Sequence, residues 1–152
     1  MKRQPPNILL INPWIHDFAA YDVWAKPLGL LSIAAILRLQ GLAVSYIDCQ
    51  DRFHPLSEKK QEPTARNGRG PYLKTPLSPP VGLESIQRTY SRYGILPDWF
   101  EQDLKELPKP DVVLVTCLMT YWYPGLFETI RAVRSIYPDV PIVVGGVYAT
   151  LC

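Results

Sequence analysis

No stretch of this sequence is long and apolar enough to span a membrane, and Met1-Lys-Arg-Gln-Pro-Pro6 leads into a strand rather than a signal-peptide core. Cysteine is scarce: Cys49, Cys117 and Cys152 are odd in number and far apart, so they form neither a disulfide framework nor a Cys-x-x-Cys metal knuckle. An excess of one charge is also lacking. Sixteen Lys plus Arg stand against 14 Asp plus Glu, a net +2 that is not gathered into one stripe, which argues against a nucleic-acid partner. The basic residues thicken only over 59–74, where Lys59, Arg66, Arg69 and Lys74 lie among prolines and glycines; this reads as a solvated loop. There is no Gly-x-Gly-x-x-Gly after the first strand and no Gly-Lys-Ser/Thr, which excludes the common phosphate cradles. No nucleophile and base stand at a recognisable spacing, so nothing supports a stand-alone hydrolase or redox enzyme. These absences together describe a reduced, cytosolic protein.

What is present is a 152-residue chain with 47% apolar content, enough for one domain over 1–152 with a buried core. Asn7-Ile-Leu-Leu-Ile-Asn12 is a run of four apolar residues closed by Pro13, the pattern of a strand buried on both faces. An aromatic-rich loop follows over 14–26. Pro27 then opens a helix whose wide apolar face is expected from Leu28, Leu31, Ile36 and Leu39, with Ala34 and Ala35 between them, ended by Gly41. Leu42-Ala-Val-Ser-Tyr-Ile47 reads as a second strand, completing a right-handed βαβ unit. From Cys49 to about Pro80 (at most 50–82) the chain is rich in Pro, Gly, Lys and Arg without period, and is expected to be an irregular insertion. Helices are predicted over 83–93 and 97–107. A third strand covers 110–116, a helix 125–137, and a fourth strand 140–144 that runs into Gly145-Gly146. The expected fold is therefore an open α/β domain, doubly wound and flavodoxin- or Rossmann-like. Its mainly parallel sheet has at least four strands and lacks a fifth at the C-terminus.

Such sheets hold ligands beyond the carboxyl ends of their strands. Three segments converge there: Asn12-Pro13-Trp14, Thr116-Cys-Leu118-Met-Thr120, and Gly145-Gly146. Glycines let a backbone approach a ligand closely, the threonines offer hydroxyls, and Leu118 and Met119 offer apolar wall. The set suits a ligand with a flat apolar part and a few polar edges. The paired glycines equally suit a tight turn.

The residues Asn12-Pro13, Pro27-Leu-Gly-Leu-Leu-Ser-Ile-Ala-Ala-Ile-Leu-Arg38 and Gly41, with Pro110-Asp-Val-Val-Leu-Val-Thr116 and Pro141-Ile-Val-Val-Gly-Gly146, resemble the cobalamin (vitamin B12)-binding-like domain at the N-terminus of radical SAM proteins. The resemblance implies a cofactor module that grips cobalamin, tail inward, through Asn12, Trp14, Thr116, Leu118, Thr120, Gly145 and Gly146. It also implies a metal-binding, iron–sulfur parent enzyme. Its S-adenosylmethionine and 4Fe-4S cluster would belong to a downstream radical SAM domain, because this chain has no Cys-x-x-x-Cys-x-x-Cys and is not catalytic alone. The Asp-x-His-x-x-Gly element of some relatives is absent, since Asp17 follows His16 and Ala19 stands in the glycine's place; cobalamin would bind base-off without a histidine ligand. Relatives also continue through another helix and a fifth strand, which marks this chain as an expected fragment. The rival expectation is a degenerate domain serving as an interaction or substrate-positioning platform, with Tyr72 or a neighbour of the insertion lodged between the first and third strands.

Other residues carry weaker readings. His16 reads as an ordinary surface histidine and His54 as part of the irregular insertion; Cys117 reads as a small buried residue and Asp48 as a strand-end turn residue. Tyr121-Trp122-Tyr123 cannot all point inward from one short loop. They either meet a ligand, a neighbouring domain or another copy of the chain, or cap the core beside Trp14 and Trp24. This loop and an exposed sheet edge each leave a homodimer open to the chain, and the sequence does not fix the oligomeric state.

Overall fold

The computed structural model describes residues 5–58 and 65–152, apart from the side chains of 65 and 66. The expectations that fall on 1–4, on Lys59 and on the Arg66 side chain lie outside the described residues. The described residues form seven strands and four helices: β1 (Asn7–Asn12), β2 (Ile15–Asp17), α1 (Leu28–Leu39), β3 (Ala43–Asp48), β4 (Lys74–Pro76), β5 (Ser91–Tyr93), α2 (Pro97–Glu106), β6 (Val112–Thr116), α3 (Tyr123–Ile136), β7 (Ile142–Gly145) and α4 (Val147–Leu151).

The main sheet is parallel throughout, in the order β3-β1-β6-β7. The chain steps from β1 outward to β3 and then returns to the other side of β1, so strand order reverses between β1 and β6. The continuous apolar run of β1 divides by alternation. Leu9 and Ile11 join Val113 and Val115 against Phe100 and Leu104 of α2 and Leu126 and Val133 of α3. Ile8 and Leu10 face the opposite way, packing with Leu30 of α1. Both faces of the central strands are thereby covered, as a parallel sheet requires.

Three expectations are corrected. The apolar face of α1 that meets the sheet is Leu30, Ala34 and Leu37, while Leu28, Ile36 and Leu39 point to solvent. This helix is apolar almost all round, so its own pattern does not select a face; its packing beside β3 does. Secondly, the helix predicted over 83–93 does not form. Leu83 and Ile86 lie exposed in turns, and Ser91–Tyr93 pairs as β5 with β2 on one side and β4 on the other. The alternating, aromatic-rich Tyr90-Ser-Arg-Tyr93 suits a strand once two partners are at hand. Thirdly, the expected irregular stretch and the aromatic loop before α1 contribute a three-stranded antiparallel sheet, ordered β2-β5-β4. The buried Arg52 side chain ties the segment before α1 to the insertion, through the Asp22 carboxylate (3.4 Å) and the Gly68 carbonyl (2.7 Å).

A cluster at the base of the antiparallel layer fixes it to α3. His16 Nε2 lies 2.6 Å from Glu128 Oε2, and Arg92 donates to Glu128 Oε1 at 2.6 Å. His16 is thus buried and in hydrogen-bond contact with Glu128, contrary to its surface reading, because β2 and β5 carry it against α3. His54 is likewise buried, stacked on Trp99 (ring centroids 5.1 Å) and 3.1 Å from Asp103 Oδ2. Among the described residues, no helix is long and apolar enough to cross a membrane.

Candidate functional site

At the carboxyl ends of β1 and β6, where strand order reverses, a cleft of about 360 Å³ opens. That is the crevice in which open α/β sheets hold ligands, and its volume lies within the range of small-molecule sites. One wall is the first turn of α1, from Pro27 to Leu30. The other is Thr116, Cys117 and Leu118 running off β6, with Gly146 and Val147 beside them and Trp122 across the mouth.

The polar side of the cleft is built on Asp48, at the end of β3. Its Oδ1 accepts from Asn12 Nδ2 (2.8 Å) and from the Gln50 backbone N–H (3.0 Å), and its Oδ2 takes Lys26 Nζ at 3.0 Å. Gln50 in turn donates through Nε2 to the Pro13 carbonyl at 2.9 Å. Asp48 therefore does more than turn the chain, because it ties the ends of β1 and β3 to the segment before α1. Lys26 and Gln50 line the cleft and were not anticipated. Gln50 carried one sequence signal, its nearness to the end of β3, and Lys26, just before α1, carried none.

The anticipated residues fall into three groups. Asn12, Thr116, Leu118 and Gly146 line the cleft together. Trp14 also lines it, but from the core rather than from a free loop. It is 1% exposed, its indole donates to the Ile95 carbonyl (2.8 Å), and its ring meets Phe100 edge-on at 4.9 Å. Thr120 lies in a short 3-10 turn, Thr120–Trp122, outside the cleft wall, and Gly145 lines a smaller groove of about 230 Å³ between α1 and β7.

The two glycines differ physically. Gly146 has φ +91°, and a Cβ there would stand 2.6 Å from the Cys117 carbonyl oxygen and 2.8 Å from Thr116 Oγ1. Its lack of a side chain lets the end of β7 close against the end of β6. A Cβ on Gly145 would meet nothing within 4 Å, so the protein itself does not demand glycine there. The Thr116 hydroxyl has no hydrogen-bond partner among the described residues.

Neither buried cysteine offers a reactive thiolate. Cys117 is buried, with its thiol directed to the Met119 carbonyl at 3.2 Å, and burial pushes its pKa up to about 11. Cys49 is fully buried, and burial followed by the charge of Asp48 raises its pKa well above the ordinary value. Of the three adjacent aromatics, Tyr121 and Tyr123 are exposed. Trp122 lines the cleft and donates to Asp17 Oδ2 at 2.9 Å, while Tyr123 stacks on Tyr148 with centroids 6.0 Å apart. Trp24 is exposed rather than part of a core cap; its indole donates to the Asn67 carbonyl and its ring receives Arg69 at 5.4 Å. Among the described residues, no histidine lines the cleft and no group of three or more His, Cys, Asp or Glu side chains is placed to hold a metal.

Residues 81–152 match a family model described as B12 binding domain. The matched span carries Thr116, Leu118, Thr120, Gly145 and Gly146, whereas Asn12 and Trp14 precede it. No curated protein and no solved structure matched the chain.

Proposed function

We propose that the chain is a cobalamin-binding module, holding the nucleotide tail of the cofactor in the cleft between β1 and β6. The observation that carries this reading is a coincidence of position: the span matched by the B12-binding family model supplies Thr116, Leu118 and Gly146 to the crevice at the switch point of the sheet. The fit is reasonable. The cleft is too small for a whole corrinoid and suits its tail; Leu118 and Trp122 give a flat apolar wall, and Thr116 keeps an unused hydroxyl. Exposed Leu28, Leu118 and Val147 around the mouth suit the apolar part of a large ring outside. When bound, cobalamin supplies a redox-active cobalt centre. The chain's own residues bind and orient it, and none of those in the cleft is a histidine that would ligate the metal.

The rival platform reading finds less support. Tyr72 packs with Ile15 and Tyr93 in the antiparallel layer and not between β1 and β6, so the side chain that would fill the cleft is engaged elsewhere. A radical SAM domain following this one in a longer protein remains part of the proposal. S-adenosylmethionine and an iron–sulfur cluster would belong to that domain. Self-association through the exposed Tyr121 or the β7 edge belongs to the proposal as well.

Hydroxocobalamin mixed with the purified chain is expected to co-elute in gel filtration with an altered visible spectrum. Leu118→Asp, an exposed position whose change spares the core, should weaken retention about tenfold or more by placing a charge in the apolar wall. Colourless protein fractions would overturn the reading.

A further inference from the structure

A second cleft, of about 490 Å³, opens between α3 and the antiparallel layer and shares no lining residue with the first. Pro80, Tyr123 and Phe127 form its apolar walls, the two rings edge to face with centroids 5.9 Å apart. Tyr90 is set into its base. It is 6% exposed, and its ring is clasped edge-on by Phe18 at 5.1 Å and His16 at 6.2 Å. Its hydroxyl has no hydrogen-bond partner among the described residues, yet the oxygen is not sealed from the cleft. The hydroxyl is therefore available to a ligand that enters the cleft, where no described protein group competes for it.

The chemistry of the surrounding groups narrows what that partner is. Burial, then the nearby charge of Asp17, raises the pKa of Tyr90, so the hydroxyl stays protonated and able to donate. Glu128 accepts one hydrogen bond on each carboxylate oxygen, from His16 and from Arg92, which leaves lone pairs free toward the cleft. Arg92 and Arg131 bring two positive charges and Asp17 and Glu128 two negative ones, so these four groups favour neither a cation nor an anion.

We propose that this second cleft binds a small neutral planar ligand with a carbonyl beside an N–H, an aromatic lactam or amide, its carbonyl accepting from Tyr90 and its N–H donating to Glu128. The ring lies against Tyr123 and Phe127. The site is independent of the cobalamin reading and stands whether or not the first cleft is filled.

The test is a titration of the intact 152-residue chain with 2-pyridone, followed by backbone amide NMR. Saturable shifts are expected at Tyr90, Tyr123 and Glu128. N-methyl-2-pyridone, which lacks the N–H, should bind about fivefold more weakly, and Tyr90→Phe should weaken 2-pyridone by a similar factor, each being the loss of one hydrogen bond. Tyr90→Phe removes a hydroxyl with no protein partner, so its thermal midpoint should not fall below that of the parent. Absence of saturable shifts, shifts confined to the strand-end cleft, or equal affinity across both compounds and both proteins would overturn the proposal.

Discussion

Gly94→Val should leave little folded protein, with a loss of about 4 kcal/mol or more in urea unfolding. Gly94 has φ +127°, a conformation that a β-branched residue adopts only under strain. A Cβ there would also be driven into the Cys49 carbonyl oxygen and would stand 3.0 Å from Cδ1 of the buried Trp14. That carbonyl is already the acceptor for Ile95 N–H at 2.8 Å, while Gly94 N–H donates to the Leu73 carbonyl at 2.8 Å. The glycine is thus the point where the antiparallel layer is drawn against the end of the parallel sheet. Two penalties act at one buried site, against a total stability typically of about 5–15 kcal/mol. An unchanged urea midpoint would mean that the two sheets are not joined in this way.

Glu128→Ala should have the next largest effect, about 3–5 kcal/mol at neutral pH, because it leaves the buried Arg92 guanidinium without its carboxylate and His16 without its partner. The same group gives stability a particular pH dependence. Burial acts to raise the Glu128 pKa, but the hydrogen bond from His16 and the charge of Arg92 outweigh it, and the value lies below the ordinary 4.5. A carboxylate with a lowered folded-state pKa contributes fully above its unfolded value; the contribution is lost as pH falls through the folded one. Urea midpoints measured from pH 7 downward should therefore fall below about pH 4.5 in the parent. The Glu128→Ala variant should lack that component, and parallel profiles for the two proteins would contradict the assignment.

These two sites show where the sequence was readable and where it was not. The parallel strands were legible because each is a short, mainly apolar run; β1, four apolar residues closed by Asn and Pro, admits few other readings. Helix α2 followed from Pro97 in its first turn with Asp98 and Glu101 nearby, and α3 from Leu126, Ile130 and Val133 on one side. The antiparallel layer was not legible. Its strands are three residues long, and β2 meets β5 across more than seventy positions, so no local period announces either. For the same reason His16 gave no sign of its partner, which lies 112 residues away. At the strand ends, Asn12, Thr116, Leu118 and Gly146 could be placed by topology alone. Lys26 and Gln50 could not, since they enter the cleft only through hydrogen bonds to Asp48 and to the Pro13 carbonyl. Gly145 and Gly146 looked equivalent as a pair. The structure separates them, because one is required by close packing at positive φ and the other stands over open space.

The central claim is that the strand-end cleft takes the tail of cobalamin and that no histidine of this chain replaces it on cobalt. Electron paramagnetic resonance of cobalamin reduced to the cobalt(II) state and bound to the chain tests this most directly, because an axial nitrogen splits the cobalt lines and an axial water does not. The account predicts a protein-bound spectrum without nitrogen splitting: the tail base is drawn away into the cleft, and His16 is held by Glu128 on another face. A bound spectrum with nitrogen splitting, or a spectrum identical to that of free cobalamin, would contradict it.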